Sequence, residues 1–122
     1  MLTVVGDNWG IVAEGDGATI TGNTISLVGT EFGISIDADN VTVNSNRIVG
    51  ASSPRARAIS NTSSTATIQS NTIGGVGYAI GSCNSVPRSN IIFDSTYGIT
   101  STAAAASVNT FVNVTTPLTV CP

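Results

Sequence analysis

The stretch GISIDADNVTVNSNRI, Gly33 to Ile48, contains two short runs in which apolar and polar residues alternate. Alternation with a period of two is typical of half-buried β-strands, and a polar turn separates the two runs. Asn46 follows the second run, and Ile48 begins a third apolar segment two residues later. The stretch therefore predicts three short strands, with an asparagine-containing bend between the second and the third.

Versions of this stretch recur along the 122-residue chain. Each unit starts with a small residue followed by an apolar one, and an asparagine comes 13 residues later in the first three units and 11 in the next two. The units start near residues 10, 33, 58, 79, 98 and 117, after a partial coil over residues 1–9. One such unit cannot bury its apolar face alone, so we expect the units to stack as coils of a single domain over residues 1–122.

Stacked coils would place the recurring asparagines above one another. Asn tolerates the left-handed backbone conformation of a tight bend, and stacked Asn side chains hydrogen-bond to each other. We therefore predict that each asparagine occupies the left-handed position of its bend and that together they form a structural ladder. The five residues are Asn23, Asn46, Asn71, Asn90 and Asn109.

The repeats GISIDADNVTVNSNRIVG and GIVAEGDGATITGNTIS resemble those of right-handed parallel β-helix proteins. This pectate-lyase-like group includes polysaccharide lyases, polygalacturonases and phage tailspikes. The resemblance implies an all-β fold, a right-handed single-stranded parallel β-helix of about six coils with three short strands per coil. It selects none of the group's activities, and no catalytic motif carries across. Left-handed β-helices need strict hexapeptides, and leucine-rich repeats need far more than the three Leu of this chain, so both are weaker alternatives.

Composition excludes several classes of function. The net charge is −3, the pI is about 4.3 and the chain has no Lys, which argues against nucleic-acid binding, because that binding rests on cations at phosphates. Without His, ordinary zinc sites and His-based catalytic triads are unavailable. No apolar run is long enough for a membrane span. The N-terminal MLTVVGDNWG lacks the basic and apolar regions of a secretion signal, so we expect none in this chain.

Acidic residues mark the candidate chemistry. Aligned coils place Glu14 beside Asp37 and Asp16 beside Asp39, each pair one strand spacing, about 5 Å, apart. Retaining glycosidases hold their carboxyl groups about 5–5.5 Å apart, so Glu14 and Asp37 are candidate catalytic residues. The same four residues are candidate ligands for Ca²⁺, which binds several carboxylate and carbonyl oxygens. Asp16 and Asp39 are also candidate ligand-binding residues.

Each of these candidate sites also has an interpretation that involves no ligand. A solvated acidic face on the first two coils, extended by Asp7 and Glu31, explains the acidic residues without a ligand. Arg55 and Arg57 lie in the long return loop predicted for residues 49–57, where they would bind an acidic sugar or a partner's carboxylates, or simply be solvated. We expect Trp9 to cover an end of the core, with a ligand-stacking platform as the alternative.

Cys83 and Cys121 occupy equivalent positions two coils apart. A regular stack separates such positions by about 9.6 Å, which exceeds the limit of about 7 Å for the Cα atoms of a disulfide. A bridge therefore requires the C-terminal coil to leave the stack, and both redox states remain open. Glycosylation sequons occur at Asn40, Asn61 and Asn113, although chance matches are expected in a chain this rich in Asn, Ser and Thr.

These observations favour a non-catalytic, extracellular or virion-associated β-helix module that is structural and has surface polysaccharide as a candidate ligand. No cofactor is expected apart from the Ca²⁺ considered above. One alternative is a polysaccharide hydrolase or lyase of the tailspike or pectate-lyase type, and another is a filament subunit that stacks end to end. Because solenoid ends carry unpaired strand edges, the expected partners are further copies, as a trimer or a stack, or the rest of a longer β-helix chain.

Overall fold

The computed structural model describes residues 2–6, 8–29, 31–102, 105 and 108–121; Asp7, assigned above to the acidic face, lies outside them. Within these residues the chain forms eleven strands, which pair in parallel. They are β1 (Leu2–Val5), β2 (Trp9–Ala13), β3 (Thr19–Thr21), β4 (Thr24–Val28), β5 (Phe32–Ile36), β6 (Thr42–Asn44), β7 (Arg47–Asn61), β8 (Thr67–Gln69), β9 (Thr72–Gly81), β10 (Ile91–Ser101) and β11 (Thr110–Val120). In this part of the chain, no helix has the length and apolar character needed to cross a membrane.

Each coil has three faces. Face A holds β1, β4 and the N-terminal parts of β7, β9, β10 and β11; face B holds β2, β5 and the C-terminal parts of those four long strands; face C holds β3, β6 and β8. Paired residues are one repeat apart, as with Ile25 and Ile48 on face A and Ile34 and Ile59 on face B. The predicted parallel β-helix is confirmed, with about five turns. The N-terminal part of β11 completes the fifth predicted coil on face A, and its C-terminal part, on face B, represents the start of the sixth.

The return loop predicted for residues 49–57 lies instead inside β7, so that prediction was wrong. From Val49 to Arg57, β7 advances eight residues, whereas their partners in β9, Gly74 and Tyr78, are only four residues apart. The extra residues are taken up by shifts of register between the two strands. Within this stretch Val49, Ser53 and Arg57 still pair with β9, which residues of a free loop would not do.

Columns of aliphatic side chains fill the narrow interior. Equivalent residues of successive coils lie above one another and are almost completely shielded from solvent. On face A they include Ile25, Ile48, Ile73 and Ile92, on face B Ile34, Ile59, Ile80 and Ile99, and on face C Ile20, Val43 and Ile68. Each fully buried Ile contributes about 1.5–3 kcal/mol relative to an exposed one, so stacking of the coils supplies the main stabilisation.

The five asparagines form the ladder that the repeats predict, at the corner between faces C and A. Oδ1 of Asn46 accepts hydrogen bonds from the backbone N–H and from Nδ2 of Asn23, each at 3.0 Å. The same pair of hydrogen bonds links each later pair of neighbouring asparagines as far as Asn109. Nδ2 of Asn46 also donates to the Ile20 carbonyl at 2.9 Å, which ties the ladder to face C.

In the first four bends the left-handed residue is the one before the asparagine, which corrects the prediction by one position. Gly22, Ser45, Ser70 and Ser89 have φ values of 68°, 57°, 56° and 55°. The asparagine must point into the solenoid to reach its neighbours, so the preceding small residue makes the bend. Gly22 lacks the Cβ that disfavours this conformation, whereas the three serines adopt it at a cost of about 1–2 kcal/mol each.

A disulfide joins Cys83 to Cys121, with the two Cα atoms 5.7 Å apart. Cys83 follows the end of β9 by two residues and Cys121 follows the end of β11 by one. Regular stacking would separate equivalent positions two coils apart by about 9.6 Å. The chain has therefore left the regular spacing beyond the last paired residues of face B, and the bridge ties the fourth coil to the sixth.

Candidate functional site

An exposed column of flat side chains runs along face B. Parallel pairing aligns Trp9, Phe32, Arg57, Tyr78 and Tyr97, and we call these five residues the stacked column. The Trp9 and Phe32 ring centroids are 5.6 Å apart with a tilt of 40°, and those of Tyr78 and Tyr97 are 4.9 Å apart with an angle of 10°. The guanidinium carbon of Arg57 lies 5.8 Å from the Phe32 centroid and 4.7 Å from that of Tyr78.

The regular strand spacing produces this column. Parallel strands lie about 4.8 Å apart, which is close to the separation at which aromatic rings stack. The planar guanidinium of Arg57 takes the place of a ring and is attracted to the faces of both neighbours. At the two ends of the column Trp9 is 59% exposed and Tyr97 39% exposed, and Arg57 in the middle is exposed as well.

The stacked column was not predicted from the sequence, although a signal for it exists. The residue directly before each small-residue–Ile pair is Trp, Phe, Arg, Tyr and Tyr in the five successive units. The position of Trp9 also corrects the expectation that it covers an end of the core. Its side chain points outward from face B and rests on Phe32, because Trp9 occupies an outward position of β2.

A cavity of about 240 Å³, here the Trp9 cavity, lies beside the exposed indole. It is lined by Trp9, Val12, Glu14, Ser35 and Asp37. The cavity thus combines an aromatic surface, an aliphatic side chain, a hydroxyl and two carboxylates on one rigid sheet face. Apolar surface with a few convergent polar groups is the usual composition of a ligand site.

Glu14 and Asp37 are neighbours on adjacent coils, in the register that the sequence predicts. Ala13 pairs with Ile36 immediately before them, and the Asp37 N–H donates to the Ala13 carbonyl at 2.9 Å. Oδ1 of Asp37 accepts a hydrogen bond from the Thr62 hydroxyl at 3.2 Å. Both acidic residues are exposed, so their carboxylate oxygens are accessible to hydrogen-bond donors of a ligand.

Asp16 and Asp39 lie one step further along the same edge, where they and Asp37 line a cavity of about 250 Å³. Oδ1 of Asp16 accepts the Asp39 N–H at 2.9 Å, and Oδ1 of Asp39 accepts the hydroxyls of Ser63 and Thr65 at 3.4 Å each. One oxygen of each carboxylate thus already accepts hydrogen bonds from protein donors. Among the described residues, no group of three or more His, Cys, Asp or Glu is arranged to hold a metal ion. The four predicted calcium ligands are not gathered into one such group.

Glu31 departs from the predicted acidic face, because its side chain is fully buried just before β5. Its carboxyl group packs against Gly29, whose φ of 106° turns the chain inward at this point. The Glu31 carbonyl accepts the Arg57 N–H at 2.9 Å. The acidic surface of the first two coils therefore consists of the residues after β2 and β5.

The two predicted ligand-binding arginines occupy different surroundings. Arg57 belongs to the stacked column, whereas Arg55 is exposed, with the buried Ala56 between them. The contacts with the Phe32 and Tyr78 rings hold the Arg57 guanidinium flat in the middle of face B.

The three sequons differ in access. Asn61 is 7% exposed, and its Nδ2 donates to the Ser63 carbonyl and to the Ser82 hydroxyl, each at 2.9 Å, so the folded protein offers no room for a glycan there. Asn40 and Asn113 are both exposed. Glycosylation at Asn40 and Asn113 stays a prediction.

Fold and site together define a parallel β-solenoid with an exposed aromatic face beside a carboxylate-lined cavity. No family model, no curated protein and no solved structure matches this chain. Functional proposals for it therefore rest on its own residues and their geometry.

Proposed function

We propose that this chain is a non-catalytic β-solenoid module that contacts surface polysaccharide through the Trp9 cavity. The observation that carries the proposal is the exposed Trp9 ring beside Glu14 and Asp37 in one cavity. A sugar ring has apolar C–H faces and polar hydroxyl edges. The faces lose water when they pack on an indole, and the hydroxyls donate to carboxylates. The cavity supplies both kinds of contact.

Face B supplies a rigid, linear surface for an extended glycan. The stacked column continues from Trp9 over four further coils, and the tyrosine hydroxyls of Tyr78 and Tyr97 add hydrogen-bonding groups along it. Sites built on strands hold their groups more precisely than loops do.

An extracellular or virion location belongs to the proposal. The Cys83–Cys121 disulfide supports it, because disulfides persist mainly in oxidising surroundings. A surface low in charge, with 9% charged residues, suits a scaffold that contacts uncharged sugar hydroxyls.

Affinity electrophoresis in gels containing a soluble β-glucan, a galactomannan or a dextran tests the binding proposal. We expect at least one of these polysaccharides to slow the native protein, and Trp9→Ala to abolish the effect. Val120→Ala, which removes an equally exposed apolar side chain at the other end of face B, should leave it unchanged. The proposal is contradicted if none of the polysaccharides slows the native protein, or if Trp9→Ala is slowed as much as the native protein. As the only tryptophan, Trp9 also reports binding by its fluorescence.

Polysaccharide cleavage is the second candidate, and the adjacent register of Glu14 and Asp37 favours it. Release of reducing ends from the polysaccharide that binds would support this candidate if Glu14→Gln and Asp37→Asn each abolished the release. Polysaccharide binding without any release of reducing ends supports the non-catalytic module instead.

Self-association is the third candidate. Among the described strands β11 pairs with β10 alone, and Phe111, Val114 and Leu118 pack only partly against the core. A further coil, from a second copy or from a longer chain, would cover them. Sedimentation velocity over a range of concentrations distinguishes a monomer from a trimer or a growing stack.

A further inference from the structure

A second cavity, of about 350 Å³, lies on face C at the edge of β8. Its lining includes Thr67, Ile68, Gln69, Ser85, Val86 and Arg88. It is separate from the Trp9 cavity, which lies on face B among the first two coils. Nothing in the polysaccharide proposal uses these residues.

The cavity exists because the third sheet is interrupted in the fourth coil. Face C strands pair over three residues up to β8, but the next coil adds only the single bridge between Gln69 and Arg88. Pro87 has no N–H to donate to a ladder. Val86 therefore stands off the sheet edge instead of continuing it, and space remains beside β8.

The backbone of Arg88 is nevertheless fixed in place. Its N–H donates to the Ile68 carbonyl at 3.0 Å, and its carbonyl accepts the Ser70 N–H at 3.2 Å. The exposed Arg88 lines the cavity from this anchored backbone position, and no carboxylate contributes to the lining.

The other groups that line the cavity determine which uncharged part of a ligand would fit beside the guanidinium. The half-buried Val86 contributes an apolar surface, and the exposed Thr67 contributes a hydroxyl beside it. The Ser85 hydroxyl, in contrast, is already bonded to Nδ2 of Asn61 and to the Ser82 hydroxyl. Guanidinium groups bind carboxylates with two parallel hydrogen bonds, and hydroxyls supply further donors. We propose that this cavity binds a small carboxylate-bearing molecule whose remaining part is apolar.

Butyrate, acetate and butyramide test this proposal as probes. Titrations followed by amide NMR spectra of the labelled protein should show butyrate shifting the signals of residues 67–69 and of Val86 and Arg88. Acetate lacks two methylene groups and should bind about ten-fold more weakly if both are buried. Butyramide has nearly the same shape without the charge, and should also bind about ten-fold more weakly or not at all.

Two variants and one control localise the charge. Arg88→Ala should weaken butyrate binding about ten-fold or more, and Arg88→Lys, which keeps the charge but not the paired donors, should bind more weakly than the native protein. Arg47→Ala removes an exposed arginine from face A and should change nothing. Unshifted amide signals elsewhere in the spectrum show that each variant is folded.

Three results would overturn the assignment. Butyrate that shifts no signal near the cavity, or shifts those around Arg47 and Arg55 as strongly, shows no site or only unspecific attraction. Equal binding of butyramide shows that charge is not recognised. Equal binding by both Arg88 variants shows that the guanidinium plays no part.

Discussion

Oδ1 of Asn71 accepts two hydrogen bonds from Asn46, one from its backbone N–H and one from its Nδ2, each at 3.0 Å. Both residues are buried, and Nδ2 of Asn71 in turn donates to the Val43 carbonyl and to Asn90 at 3.0 Å. At a bend, where strand pairing is interrupted, the asparagine thus satisfies a backbone N–H that would otherwise lack a partner. The ladder is part of the scaffold and continues the pairing between coils around the corner.

Asn71→Leu is expected to destabilise the fold strongly. The substitution preserves the approximate volume but leaves the buried backbone N–H of Asn46 without an acceptor, and it leaves Nδ2 of Asn46 with the Ile20 carbonyl alone. The expected loss is about 3 kcal/mol in the free energy of unfolding, measured by urea denaturation. Asn84→Ala removes an exposed asparagine with one backbone hydrogen bond and should cost less than about 1 kcal/mol. Equal losses of unfolding free energy in the two variants would contradict a special contribution of the ladder to stability.

Removing the disulfide should loosen the C-terminal coils. The bridge closes a sequence separation of 38, so replacement of both Cys83 and Cys121 by Ser should lower the free energy of unfolding by about 3–4 kcal/mol. Hydrogen exchange should show the larger effect in β10 and β11 than in β3 or β6. A dithiol reductant should lower the Tm of the native protein but leave that of the double variant unchanged. A native Tm that does not respond to reduction contradicts the bridge.

Gly33→Ala is expected to destabilise the protein through close packing. A Cβ at this position would lie 2.6 Å from the Ala58 carbonyl oxygen of the next coil, so the coils would have to separate locally. Overpacking of this kind costs about 1–3 kcal/mol. Gly15 has no atom within 4 Å of such a Cβ, and Gly15→Ala should stay within about 0.5 kcal/mol of the native protein. Thermal melts of the two variants provide the comparison.

Arg57→Ala should cost stability through the stacked column. The guanidinium lies over the rings of Phe32 and Tyr78, and each exposed cation–π contact contributes about 0.5–1 kcal/mol. We therefore expect a loss of about 1–2 kcal/mol. Arg55→Ala removes the same charge two residues away without a ring contact and should have no measurable effect. If both variants lose the same stability, charge and not stacking is responsible.

The calcium prediction has a direct test in the melting temperature. One oxygen of each of Asp16 and Asp39 already accepts protein hydrogen bonds, and among the described residues no group of three or more metal-ligating side chains surrounds them, so we expect the same Tm in millimolar Ca²⁺ and in chelator. A cation that binds only the folded state would add about 2.7 kcal/mol of stability at a hundred-fold excess over its Kd and would thereby raise the Tm. A Tm increase that Asp39→Asn abolishes would support a calcium site at these residues.

Repetition made most of the architecture predictable. Because the units align residue by residue, the sequence alone indicates which side chains become neighbours, including Glu14 with Asp37 and Asn46 with Asn71. Short alternating runs of Ile and Val indicate strands rather than helices. The resemblance to parallel β-helices follows from the same repeats. Alignment of the repeats could not show that the Glu31 side chain is buried. Glu31 lies outside the repeated pattern, and its orientation depends on the backbone conformation at Gly29.

The sequence by itself determined the register, the parallel stack and the ladder, because these follow from a local pattern that each coil repeats. Tertiary structure alone decided which outward residues are open to a ligand and where the stack is broken. Trp9 became the edge of a cavity because β2 points it away from the core. Cys83 lies close enough to bond Cys121 because the chain departs from the regular spacing between coils beyond the ends of the strands. Such departures depend on how several coils pack together, and no single repeat encodes them.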